Sequence, residues 1–493
     1  MINKYYPLFV FLMILTGSCK GPPSGFEERA GMPDIFPDYK EVVIPVNIAP
    51  LNFRSEESPG RMRVIIGGSS DGSSDGSIKV KGRKKIRIPR GKWNRLLERN
   101  AGSSITVTVF LRHDRKWSRY MPFQVHIKSD PVDPYIVYRR IAPGYETWSR
   151  MGIYQRNITS FSVKTIIDNR LLPGNCMNCH AFNRNDPDQM LFHLRGNVTG
   201  TMLVRGGEAV KLNTRVEETV SHGVYPYWHP SGNYIAFSVN EISQVFHSRK
   251  DKRIEVMDSR SDVVVYDIEN SKLLASPLLS AGESLETFPA FSPDGRILVF
   301  CSAEKGVVPD DYDKIKYSLC KIAFDPSSGT FGNRIDTLVS SARTGRSVSY
   351  PRISPDGKYL IFTLSDYGNF SIWHKEADLY QLDLATGDFR PADPINSDDT
   401  ESYHSWSSDS RWLVFSSRRS DGLYTQPYIA FFDDDGNFSK PFLLPQKDPD
   451  YYDFSLLSFN VPEFVTGKIR TNGRKMLRAI GSSGKNVIFE LKE

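Results

Sequence analysis

FPAFSPDGRILVFCS, residues 288–302, holds the pattern that decides the fold. An aromatic residue opens it and a large apolar residue follows three places later. A Ser-Pro-Asp-Gly turn comes next, and an alternating apolar strand closes the unit. The same order recurs in YPYWHPSGNYIAFS (225–238), YPRISPDGKYLIFTL (350–364) and YHSWSSDSRWLVFSS (403–417). Trp228, Phe291, Ile353 and Trp406 keep one phase, at intervals of 63, 62 and 53 residues. A further strand ending in Asp and a turn follows most copies: DVVVYDIENSK, SLCKIAFDPSSGT, DLYQLDLATGD and PYIAFFDDDGN. Pro and Asp-Gly set tight turns, and period-two strands between such turns make hairpins. A blade of these strands cannot bury both faces alone, so blades stack round an axis. At this period residues 147–493 hold roughly six blades. The last segment, KMLRAIGSSGKNVIFELKE, offers two strands that would close the ring.

The rest of the chain agrees with an all-β reading. Aromatic residues are 12% of its 493 residues, turn clusters recur throughout, and long helical patterns are nearly absent. Residues 41–130 alternate apolar and polar in short runs (EVVIPVNI, RMRVIIG, ITVTVFLRH, PFQVHIK), which predicts a small antiparallel β-sandwich. The predicted fold is therefore an about six-bladed propeller at 131–493, preceded by that small sandwich. GSSDG occurs twice between residues 67 and 77 and matches the GxSxG of serine hydrolases. A nucleophile elbow needs a strand before it, a helix after it and an α/β domain around it. The tract reads as a flexible loop.

The N-terminal residues predict export. Lys4 precedes the apolar run YPLFVFLMIL (6–15), which is too short to span a bilayer as a helix. Thr16-Gly17-Ser18 then leads to Cys19, a pattern resembling a bacterial lipobox. The expectation is a signal peptide at 1–18, a lipid on Cys19, a Pro/Gly-rich tether at 19–40, and a place in the periplasm on the outer membrane. The net charge of +6 is modest, but Lys79 to Arg99 (KVKGRKKIRIPRGKWNRLLER) is dense in cations. It reads as a solvated strand face and loop, with docking to anionic lipid as the functional alternative. Nucleic acid is a poor partner for an exported chain.

One motif carries chemistry. NCMNCHAFN (175–183) contains Cys176-Met177-Asn178-Cys179-His180, a complete CxxCH. That spacing suits covalent haem c: two thiols take the two vinyl groups, and the adjacent His180 imidazole becomes the proximal iron ligand. Two alternatives stay open. Cys176 and Cys179 could form a disulfide, or join His180 in a zinc site, although no second Cys/His pair completes four ligands. CHAFNRNDPDQMLFHLRG lies over the blade motif, with Phe182 for Trp228 and Phe192 for Phe237 and one residue inserted in the turn. The cysteines thus fall at the head of a degenerate first repeat. For a distal ligand, His229 and His222 lead into the next repeat and are better placed than Met190 and His193 on the partner strand; five-coordinate haem is also open. Cys301 and Cys320 sit on neighbouring strands and read as a cross-strand disulfide or two buried thiols. The acidic clusters Asp310-Asp311-Asp313 and Asp433-Asp434-Asp435-Gly436 read as turns, since neither has calcium-loop spacing.

The SPDG-type units resemble the PD40 repeat of TolB-type propellers, closely over residues 225–417 and more loosely elsewhere. Prolyl oligopeptidases use a similar propeller beside a hydrolase domain, for which no room is expected here. The resemblance implies a protein or peptide partner held on a propeller face at the cell envelope. The chain as a whole resembles bacterial lipoproteins that join CxxCH to PD40 repeats, which implies haem used in electron transfer or sensing. An enzyme acting on a polymer ranks last, because no facing carboxylate pair is readable.

Overall fold

A computed structural model describes residues 22–57, 59–68, 76–143, 150–249, 252–280, 282–470 and 473–492. The signal peptide and Cys19 lie outside the described residues, as does most of the duplicated Ser/Gly/Asp tract. The alternating strands pair into six blades. Taking the inner strand of each first, blade two is Asn175–Phe182, Gln189–Gly196, Gly200–Arg205 and Glu208–Asn213. Blade three is Gly223–Trp228, Tyr234–Phe246, Ile254–Asp267 and Lys272–Ala275. Blades four, five and six begin at Ser284–Phe291, Ser347–Ile353 and Glu401–Trp406. Each inner strand touches the next round the axis.

Blade one closes the ring. Its three outer strands, Tyr135–Ile141, Met151–Asn157 and Val163–Asp168, precede blade two, but its inner strand is Ser458–Val465 from near the other end of the chain. That strand pairs antiparallel with Tyr135–Ile141 and touches Asn175–Phe182. Closure is thus made by VPEF (461–464), not by the last segment as expected. KMLRAI instead lies in a helix, Gly473–Ile480, whose Met476 and Ile480 are buried. Lys485–Asn486 and Ile488–Leu491 then run parallel along the outer edges of blades two and three. The CxxCH strand is consequently the inner strand of the second blade, not of the first.

All six inner strands share one irregularity. Cys179, Tyr225, Phe288, Tyr350, Tyr403 and Val461 have φ between 46° and 55°, and the pairing register slips at each. Left-handed backbone at a non-glycine residue costs about 1–3 kcal/mol and survives only where the surroundings over-determine it. Here the bulge turns these side chains towards the axis. Tyr225, Phe288, Tyr350 and Tyr403 form a chain of ring contacts at 4.3, 5.7 and 5.4 Å between centroids. Three places on, Trp228 and Trp406 each bridge to the preceding blade, their indoles donating to Ala181 O and Arg352 O at 3.2 Å.

The N-terminal strands make one seven-stranded, branched sheet, with Ser104–His113 pairing Arg61–Gly68 along one edge and both Lys116–Arg119 and Phe123–Lys128 along the other. The basic run starts as the strand and loop expected, Ile78–Gly82 and residues 83–89, but does not end so. Residues Arg90–Arg99 form a helix that buries Trp93, Leu96 and Leu97. Part of its charge is paired rather than solvated: Lys85 reaches Asp448 and Asp450 at 2.7 and 2.9 Å, and Arg87 reaches Asp448 at 2.7 Å. The described part of the expected tether is also folded, since Ile35–Phe36 pairs with Arg54–Ser55 and Tyr39 is buried. One apolar core runs from this sheet into the propeller, from Trp93 and Leu97 to Trp412 and Phe442.

Candidate functional site

The aromatic arc leaves a gap. Four blades place Tyr or Phe at the bulge, whereas blades one and two place Val461 and Cys179 there. A cavity of about 170 Å3 lies in the axial channel at this end. Cys176, Cys179 and His180 line it, with Arg139 and Arg195 beside them and Tyr225, Tyr350 and Tyr403 on the facing wall. In a regular strand residues 176 and 179 would face opposite sides; the bulge brings both to one cavity.

The chemistry of each group follows from its surroundings. Cys176 and Cys179 are free thiols, 6% and 8% exposed. Burial pushes both thiols up, partly offset by the nearby Arg139 and Arg195 guanidiniums, so both stay protonated and weakly nucleophilic at neutral pH. Arg139 donates to Asn178 Oδ1, which fixes it against the CxxCH strand. His180 is 3% exposed, and neither ring nitrogen makes a hydrogen bond of good geometry, Nε2 lying 3.4 Å from Glu463 Oε2. Burial, then the Arg139 charge, hold its pKa down to about 3, so the imidazole is neutral. Unpartnered buried polar atoms are uncommon and call for an explanation.

A long hairpin roofs the cavity. The strands Tyr234–Phe246 and Ile254–Asp267 run past their blade, and Ile242, Gln244, Ile254 and Val256 line the channel mouth. The hairpin is latched to blades four and five. Asp258 accepts from Asn240 at 2.9 Å, Asn369 at 2.5 Å and Tyr317 at 3.4 Å, and Glu255 accepts from Tyr367 at 3.0 Å.

The proposed distal ligands are not brought to the cysteines. Met190 is fully buried in the core beside Phe182 and Phe192. His193 Nδ1 lies 3.3 Å from Thr201 Oγ1, and its ring packs 5.9 Å from that of His222. His229 is committed at both nitrogens, to Ser231 Oγ at 2.8 Å and Gly295 O at 3.0 Å. None of the four lines the cavity. Cys301 and Cys320 are free too, because Cys301 stands opposite Leu319 and Cys320 opposite Phe300, which sends them to opposite faces of blade four. Among the described residues no group of three or more His, Cys, Asp or Glu is placed to hold a metal ion.

Sequence reasoning missed Arg139, Arg195, Arg352 and Glu463. A signal existed for Glu463. VPEF repeats the spacing of YPYW, FPAF and YPRI, and CHAF repeats that of YHSW. Cys179-His180 therefore stands where other blades carry aromatic-Pro or Tyr403-His404. Two thiols and an adjacent imidazole are the donor set of a covalent haem.

No protein-family model matches the chain, and no curated protein matches it. Solved structures with some likeness include prolyl oligopeptidase B from Galerina marginata, at 9% identity and a TM-score of 0.35, covering 68% of this chain and 42% of that one. The periplasmic gluconolactonase of Pseudomonas aeruginosa is 13% identical, with a TM-score of 0.34, over 66% of this chain and 99% of that one. A puromycin-hydrolyzing peptidase of Mycobacterium tuberculosis is 13% identical, with a TM-score of 0.33, over 55% and 39%. The chain thus spans about two-fifths of the length of prolyl oligopeptidase B (42%). These likenesses carry no argument about activity.

Proposed function

We propose that this chain is an envelope lipoprotein whose propeller works through its axial channel, with haem held by Cys176 and Cys179 and serving electron transfer or sensing. The observation that carries the reading is that both thiols and the imidazole of His180 share one cavity wall. Arg139 and Arg195 lie on the same wall as cations for the propionates. When bound, the haem would supply a one-electron couple or an iron site for a small ligand. The chain's own residues do the rest. The two thiols tether, the neutral His180 offers a lone pair, and the aromatic arc with the roofing hairpin excludes water. Anchoring through Cys19 and docking of an envelope protein or peptide on a propeller face belong to the same proposal.

One observation favours a second reading, a haem-free binding platform. The cavity of about 170 Å3 is below the roughly 300–1,000 Å3 of sites for drug-sized ligands. Expression with a haem-maturation system, followed by a pyridine haemochrome spectrum and an intact mass, separates the two. A covalent haem adduct supports the first reading, and an unmodified mass supports the second.

A further inference from the structure

The axis holds a second cavity, of about 200 Å3, at the end of the channel that carries the Ser-Pro-Asp-Gly turns. Trp228, Phe291, Trp406 and Phe464 give it apolar walls. Two oxygens on its wall make no hydrogen bond of good geometry: Asn183 Oδ1, and Glu463 Oε2, which lies 3.4 Å from His180 Nε2. Asn183 is 4% exposed, and its own amide donates to Gln189 Oε1 at 3.0 Å. Two guanidiniums line the same space, Arg184 at the exposed rim and Arg352 deeper, stacked 3.9 Å above Tyr350. Glu463 thus shares the cavity with two cations, and its Oε2 and Asn183 Oδ1 are open to N–H donors.

We infer that this cavity binds a small zwitterion of amino-acid size, its ammonium on Glu463 and Asn183, its carboxylate towards Arg352 and Arg184, and an apolar side chain between the tryptophans. An ammonium offers three donors, enough for both oxygens. A ligand carboxylate balances the second guanidinium. The volume lies below that of sites for drug-sized ligands, which matches a guest of this size. The cavity lies at the opposite end of the channel from Cys176 and shares His180 and Arg352 with the first.

Calorimetric titration of the full chain with L-leucine, leucinamide and N-acetyl-leucine tests it. L-leucine should bind, and each blocked analogue should bind about tenfold more weakly, because each leaves a buried charged or polar group unpaired. Glu463→Gln should lose about tenfold for L-leucine, and Arg184→Gln should weaken L-leucine while sparing leucinamide. Asn183→Ser gives a milder second probe of the ammonium end, with thermal melts reporting that each variant folds. Equal binding of all three compounds, no binding of L-leucine at millimolar concentration, or unchanged affinity in Glu463→Gln would overturn the inference.

Discussion

His180 Nε2 stands 3.4 Å from Glu463 Oε2, yet the two do not form an ion pair at neutral pH. Burial holds His180 down to about 3 and pushes Glu463 up to about 8, so the contact joins a neutral imidazole to a neutral carboxyl. A pair that crosses the strand closing the ring is therefore uncharged at the axis. Desolvation outweighs attraction here, as it does for many buried pairs.

Stability should consequently fall as pH rises through the Glu463 window. Between the ordinary carboxyl value of 4.5 and about 8, folded Glu463 keeps a proton that the unfolded chain releases, so its contribution is full below 4.5 and lost by pH 8. His180 acts in the opposite sense. The unfolded chain binds a proton between about 3 and 6.5 that the folded chain does not, so stability rises with pH there and is level above. Above pH 6.5 Glu463 acts without it, with a slope of at most about 1.4 kcal/mol per pH unit. Glu286, raised to about 7, adds the same sign. Urea melts of Glu463→Gln between pH 6.5 and 8 should show a shallower decline than the parent chain.

The two cysteines should act as a unit if haem is attached. Cys176→Ser with Cys179→Ser should abolish covalent haem while leaving the propeller folded, because both are small residues on a cavity wall rather than in the packed core. Cys179→Tyr restores the aromatic found at this bulge in four other blades and fills the gap. It should exclude any ligand from the cavity at a stability cost of about 1–3 kcal/mol from overpacking. Haemochrome absorbance and thermal melts read both outcomes.

Truncation should separate closure from edging. A chain ending at residue 484 loses only the two parallel edge strands on blades two and three, and should keep a cooperative melt at a lower midpoint. A chain ending at residue 457 lacks the inner strand of blade one, exposes the edge of Tyr135–Ile141, and should aggregate or melt without cooperativity. Circular dichroism and size-exclusion chromatography distinguish the cases.

The charges between the N-terminal sheet and the 448–453 loop should matter modestly. Arg54, Lys85 and Arg87 meet Asp448 and Asp450 within 3.2 Å, all partly exposed. Such pairs contribute about 0–1 kcal/mol each and weaken with salt. Asp448→Asn with Asp450→Asn should cost about 1–2 kcal/mol in low salt and less at high ionic strength, read by denaturant melts.

The repeated units from 225 to 417 were legible because turn and strand chemistry are local. Trp228, Phe291, Ile353 and Trp406 mark four inner strands from sequence alone, and Phe182 was placed correctly as the equivalent of Trp228. Phe464 was not, although VPEF carries the same spacing, because no Ser-Pro-Asp-Gly turn follows it. Its neighbour in the sheet, Tyr135–Ile141, lies at the opposite end of the propeller sequence, a pairing that local reading cannot supply. For the same reason Glu463 escaped notice, while Arg139 was missed because it reaches the CxxCH strand from the neighbouring blade. The helix at Arg90–Arg99 was hidden by its cations, since only Trp93, Leu96 and Leu97 mark its buried face.

The late arrival of Ser458–Val465 also sets an order of events. The wall that buries Cys176 and Cys179 is not complete until nearly the whole propeller sequence has been synthesised and the two ends of the ring have met. Any enzyme that modifies these thiols needs access that the finished channel denies. Loading, whatever the cargo, belongs to the interval before the ring shuts, and a mature chain purified empty should stay empty when the same cargo is offered afterwards.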